Sequence, residues 1–141
     1  MVQQRRLTGA YSKGRVKNAT KVDKYGISFR SKLECYTYEA LMNAGITAKY
    51  EPKHFTVLDK FEYQHEKIRA ITYLPDFIGQ YKDKKFVIEC KGMITESFPL
   101  RWKLFKNYLK RHRSKYKCYL VRNHKQVDEM INDIKNNLNS E

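Results

Sequence analysis

At 141 residues the chain is long enough for one ordinary domain and too short for two of typical size, so a single core has to carry whatever chemistry exists. Hydrophobic residues make up 41% of it, with 11 Tyr and 7 Phe, which supplies a real core and excludes general disorder. The formal net charge of +14 implies a polyanionic partner, nucleic acid first, because clustered Lys and Arg gain affinity for phosphates by releasing condensed counterions.

Residues 1–25 carry Arg5, Arg6, Lys13, Arg15, Lys17, Lys21 and Lys24 against one acid, Asp23, and show no sustained apolar period. They read as a flexible basic arm ahead of a single domain at 26–141. From Ser31 to Ala44 the positions Leu33, Thr37, Ala40, Leu41 and Ala44 recur at helical spacing. This predicts a first helix, with Ser31 as its cap and Gly45 as its stop. Three extended segments follow, about Tyr50–Leu58, Ile68–Ile78 and Lys85–Cys90, with a polar stretch at Asp59–Lys67 and a turn at Gln80–Lys84. They suggest an antiparallel meander. A second helix is expected over Phe98–Arg113, capped by Ser97 with Pro99 tolerated in its first turn. A strand at Lys117–Val121 and a last helix at Gln126–Leu138 complete an α-β-β-β-α-β-α order. An order of this kind fits one mixed sheet flanked by helices.

Cys35, Cys90 and Cys118 lie far apart with no C-x-x-C pair. They fit reduced thiols packed as small core residues better than a disulfide framework or a structural zinc site. No apolar run reaches about 18 residues and the first six residues are not a signal sequence, so a soluble, cytoplasmic protein with no membrane partner is expected.

The stretch that carries chemistry is Thr72-Tyr-Leu-Pro-Asp76-Phe followed by Phe86-Val-Ile-Glu89-Cys-Lys91-Gly92. Strand alternation puts Phe86, Ile88 and Cys90 on one face and Val87, Glu89 and Lys91 on the other. If that strand pairs with the one ending at Asp76, two carboxylates and an ammonium converge, a donor set that suits Mg²⁺ or Mn²⁺. Such a site can hydrolyse a phosphodiester, the metal neutralising developing charge and acidifying a bound water while Lys91 orients that water or stabilises the transition state. Taken singly, the same residues have bland readings: Asp76 as a turn residue after Pro75, Glu89 with Lys91 as a surface ion pair.

Pro75-Asp76 with Glu89-Cys90-Lys91 resembles the motif of the PD-(D/E)XK nucleases, and the element order resembles that family's restriction-endonuclease-like core. Within the family, the sequence is similar to the phage endonuclease I type of Holliday-junction resolvase. The similarity rests on Phe29-Arg-Ser-Lys-Leu-Glu34, Ala44-Gly-Ile, Tyr50-Glu51 and the two stretches above, and covers roughly Tyr25 to Val121. It implies metal ligation by Asp76, Glu89, the backbone carbonyl of Cys90 and Glu34. Helical periodicity agrees on Glu34, which borders the apolar stripe of the first helix while Glu39 points to the solvated side. Glu51 reads either as a further acid at the site or as a solvated strand residue. The resemblance also implies a homodimer acting on branched DNA, in the host cell cytoplasm if the chain is phage-encoded. A nuclease of the same fold acting on ordinary duplex or on ends, in restriction, transposition or packaging, is the alternative, and a non-cleaving DNA-binding module is a second. Phosphate contacts are expected from the arm, through Arg5, Arg6, Lys13, Arg15 and Lys17, or from the second helix, where Lys103, Lys106, Lys110 and Arg113 share a face opposite Leu100, Trp102, Leu104, Phe105, Tyr108 and Leu109.

Overall fold

A computed structural model describes residues 20–136 of the chain. Its first element is a hairpin of β1 (Val22–Lys24) and β2 (Ile27–Phe29), turned through Tyr25 and Gly26, both at positive φ. The basic arm expected through residue 25 therefore gives way to a strand at Val22, whose side chain packs against the core. Helix α1 (Lys32–Asn43) begins where predicted, with the Ser31 hydroxyl accepting from the Glu34 amide. It ends at Gly45, whose φ of 72° lets the Ile46 amide turn back onto the Leu41 carbonyl at 2.9 Å.

The central sheet has four strands, β3 (Thr47–Tyr50), β8 (Phe77–Tyr81), β9 (Lys84–Cys90) and β10 (Tyr116–Val121), in the order β10-β9-β8-β3. The β3-β8-β9 part is an antiparallel meander and β10 runs parallel to β9, so the sheet is mixed. Two of the expected strands are split. Pro52 cannot donate to a ladder, and the segment expected at Tyr50–Leu58 keeps only its second half as β4 (Phe55–Leu58), its first residue ending β3, which starts earlier than expected and sits in a different sheet. Pro75 likewise separates β7 (Ile71–Tyr73) from β8, and β7 pairs with β4 instead. The stretch at Asp59–Lys67, expected to be polar and without strands, forms a hairpin of β5 (Phe61–Tyr63) and β6 (Glu66–Ile68). Its turn residues Gln64 and His65 take positive φ without glycine, so the usual sequence signal of such a turn is missing.

Helix α2 (Phe98–Arg111) buries Phe98, Trp102, Phe105 and Leu109, one face at helical spacing. It stops two residues earlier than expected: His112 is the cap and Arg113 lies beyond it at φ 52°. Ser97 stands at the N-cap position but makes no side-chain cap bond. Helix α3 (His124–Asn136) starts two residues before the predicted Gln126, held by the Asn123 Oδ1 acceptance from the Gln126 amide at 2.9 Å. Leu138, its predicted end, lies outside the described residues.

Together these elements make an α/β fold with a mixed multistranded arrangement and three helices. The alternation of β9 divides the core as predicted. Phe86, Ile88 and Cys90 pack with α1 and α3, while Val87 packs with α2, β4 and β7. Burial of both faces explains why β9 is the most continuously buried strand, including its charged position 89.

Candidate functional site

The strand register brings three acids level. Phe77 pairs with Ile88 and Tyr50 pairs with Phe77, so continuing each ladder by one residue sets Asp76 opposite Glu89 on one side and opposite Glu51 on the other. The Glu51 amide confirms the second continuation by donating to the Asp76 carbonyl at 2.7 Å. A row Glu51–Asp76–Glu89 thus runs across the ends of three neighbouring strands, which lie about 4.8 Å apart in a sheet. Glu34, in the first turn of α1, approaches from the helical layer. Carboxylate oxygens of Glu34, Glu51 and Asp76 all lie within 4.8 Å of one another.

These acids are not solvated surface groups. Asp76 and Glu89 are 0% and 1% exposed and Glu34 is 6%, and a buried carboxylate persists only with hydrogen bonds or countercharge. The hydrogen bonds come from each neighbouring element. The Cys90 amide donates to Asp76 Oδ2 at 2.7 Å, an N–H near the end of β9 aimed at the start of β8. Glu34 Oε2 accepts from the Arg30 amide at 3.0 Å and from the Tyr50 hydroxyl. Glu89 Oε1 accepts from the Tyr73 hydroxyl. Both tyrosines are held protonated: burial raises the Tyr73 pKa most, with the adjacent Glu89 charge adding to it, and burial followed by the bond to Glu34 raises that of Tyr50. Each therefore serves the carboxylate as a donor throughout the neutral range.

Lys91 lies one residue beyond the end of β9 and lines the same small pocket as Glu89, its ammonium 5.1 Å from the centre of the Phe98 ring. The main chain at that point is pinned from both directions. The Lys91 amide donates to the Val121 carbonyl, and Arg122 Nε donates to the Lys91 carbonyl at 2.6 Å. A small pocket between β9, β7 and the start of α2 is lined by Tyr73, Glu89, Lys91, Thr95, Ser97 and Arg101. Arg101 is anchored to the Thr72 carbonyl at 3.1 Å.

Measured against the sequence, Asp76, Glu89, Lys91, Cys90 and Glu34 lie at one end of the sheet, but the closest carboxylate set differs from the implied one. Glu51 stands with Glu34 and Asp76, whereas Glu89 turns toward Tyr73 and is not in that set. Cys90 contributes its amide to the site while its side chain packs on the α1 side, 3.4 Å from Thr37 Oγ1. Glu39 is elsewhere, paired with Lys24 at 3.4 Å on the β1–β2 hairpin. Tyr73, Tyr50, Arg30 and Arg101 were not read from sequence as parts of the site. Of the predicted phosphate contacts, Lys103, Lys106, Lys110 and Arg113 are exposed, although Arg113 is off the helix and Lys106 folds back over the Trp102 ring at 5.2 Å. Leu100, expected on the apolar arc, is 61% exposed. Arg5, Arg6, Lys13, Arg15 and Lys17 lie outside the described residues.

The donor set is all oxygen, three carboxylates with no thiolate or imidazole among them. That fits a hard divalent cation of the Mg²⁺, Mn²⁺ or Ca²⁺ kind and disfavours zinc. Among the described residues, no helix is long and apolar enough to cross a membrane. The chain belongs to the family described as "Protein of unknown function (DUF1064)", whose profile matches residues 15–134. Comparison with curated proteins and with solved structures gives no match.

Proposed function

We propose that this protein is a metal-dependent DNA endonuclease with a restriction-endonuclease-like core of the PD-(D/E)XK kind. The observation that carries the reading is the level row of Glu51, Asp76 and Glu89 across three strands, joined by Glu34 from α1 and by Lys91 two residues beyond Glu89. A structural ion-pair network has no need to bury three acids beside a fourth at one sheet end. A site built to hold a divalent cation does.

Asp76, Glu34 and Glu51 would hold the ion, with Glu89 and the Cys90 carbonyl completing the shell on the β9 side. Bound Mg²⁺ or Mn²⁺ would supply charge neutralisation at the phosphate and a water acidified toward neutral pH. The chain's own groups do the rest. The Cys90 amide fixes the Asp76 carboxylate, and the Tyr73 hydroxyl fixes that of Glu89 through Oε1. Such supporting bonds set ligand orientation. Lys91, whose ammonium rests against an aromatic ring near Glu89, would orient the attacking water or stabilise charge on the phosphorane-like transition state.

The net charge of +14 supports nucleic acid as the substrate. The same resemblance that suggests the fold suggests branched DNA cut by a homodimer, since one site of this size hydrolyses one strand at a time and paired cuts need two copies. The test is a panel of linear duplex, single strand, flap and four-way junction, each with and without Mg²⁺. Cleavage only with metal, fastest on the junction, is expected. Equal rates on junction and linear duplex would remove the branched-substrate part, and full activity in EDTA would remove the metal.

A further inference from the structure

Beside the acid cluster lies a cation to which no role has been assigned. Arg30 Nε is 2.8 Å from Glu51 Oε1, and the two side chains are 41% and 17% exposed. Arg30 Nη2 also donates to Glu51 Oε2, at 3.5 Å. Glu51 Oε1, by contrast, is buried with the ion pair but with no hydrogen bond among the described residues, so it keeps acceptor capacity that buried carboxylate oxygens nearly always use. The backbone sharpens the point. Glu51 takes φ 45°, a conformation unfavourable for a side chain of its size, and its amide is tied to the Asp76 carbonyl. That geometry holds its carboxylate beside those of Glu34 and Asp76, where like charges would otherwise push it out to solvent.

We propose that Glu51 is a ligand of the divalent ion and that Arg30 is a built-in counter-cation, seated on Glu51 in the absence of metal and displaced from it when metal binds. This rests on the metal-dependent reading above. Arg30 suits the role because its two functions are separable. Its main-chain amide anchors the site by donating to Glu34 Oε2 and Tyr50 Oη, whereas its guanidinium, half-exposed, can leave Glu51 without disturbing that anchor. A guanidinium cannot be deprotonated, so it offsets the acids at every working pH. The consequence is a competition: removing the charge from position 30 strengthens metal binding, the opposite of what loss of a structural or ligating residue does.

The experiment is Mn²⁺ titration, by calorimetry and by the free-ion electron paramagnetic resonance signal, of the full chain and of Arg30→Gln, Arg30→Lys and Glu51→Gln, with thermal unfolding of each. Arg30→Gln should tighten Mn²⁺ about three- to tenfold, the range expected when a partly screened ion pair no longer competes. Arg30→Lys, which keeps the charge, should stay near the parent. Glu51→Gln should weaken binding by about tenfold or more. Unchanged or weaker binding in Arg30→Gln overturns the competition, and unchanged binding in Glu51→Gln overturns the ligand assignment. Either result leaves the nuclease reading standing as long as the parent binds Mn²⁺, whereas no binding by the parent removes both.

Discussion

The four site acids differ in how visible they were before the fold was known, and the reason lies in what surrounds each one. Asp76, Glu89 and Lys91 sit in short runs whose spacing has a chemical meaning, so their convergence followed from strand alternation and pairing. Glu34 was legible because helical periodicity puts it beside the apolar stripe, and the structure buries it at 6% exposure. Glu51 was ambiguous. It follows a strand, next to Pro52, where a solvated acid is as natural as a ligand, and only the β3–β8 register brings it beside Asp76. Tyr73 could not have been found, because it reaches Glu89 from a separate two-stranded sheet whose pairing no local pattern announces. A matched pair of variants tests the helix argument at this scale. Glu34→Gln should slow metal-dependent cleavage by about 10- to 100-fold or more, while Glu39→Gln, which loses a surface pair with Lys24, should stay close to the parent. If Glu39 is the more damaging loss, α1 does not present the face argued for it.

Among the elements, the long periodic or continuously apolar ones were read correctly and the three-residue strands were not. Helix α1 and strand β9 carry their own caps, alternation and stops. By contrast β1, β2, β5, β6 and β7 are three residues each, too short for a period of two to rise above chance, and two of the hairpins turn on residues with no glycine-based signature at the first position. The effect of prolines 52 and 75 is topological: β4 and β7 lie outside the central sheet and roof α2. One position tests how tightly that sheet is built. A Cβ placed on Gly79 would lie 2.4 Å from the Phe86 ring and 2.7 Å from the Thr47 carbonyl oxygen. Phe86 is 1% exposed inside the α1–α3 half of the core, so neither neighbour can yield cheaply. Gly79→Ala should therefore lower stability by about 1–3 kcal/mol, the usual cost of overpacking. Denaturant unfolding checks this, and a midpoint equal to that of the parent would mean that β8 moves more freely than its register implies.

For the molecule as a whole, the layers explain the placement of the site. Helices α1 and α3 cover one face of the sheet, α2 with β4 and β7 covers the other, and the acids gather at the end where α1 starts and β9 stops. On the nucleic-acid reading proposed above, the charge of +14 concerns reach and register on the polyanion more than chemistry. Because Val22–Lys24 belong to a hairpin, the deletion that spares every described residue is 1–19, which holds Arg5, Arg6, Lys13, Arg15 and Lys17. Deleting it should weaken DNA binding and flatten the slope of log affinity against log salt by roughly 0.9 for each lost phosphate contact. An unchanged slope would shift the footprint to Lys103, Lys106 and Lys110 on α2.

The central claim is that the buried acids hold a divalent ion that cuts DNA, and one comparison bears on it most directly: cleavage of end-labelled four-way-junction DNA by the parent and by Asp76→Asn, each in Mg²⁺ and in EDTA. Asp76 is the acid common to both strand ladders and to the carboxylate cluster. The parent should cut only with Mg²⁺, and Asp76→Asn, folded and still bound to DNA, should be slower by at least about 10²-fold. Cleavage by Asp76→Asn at the parent rate, or no cleavage by the parent with any divalent metal, would contradict the account.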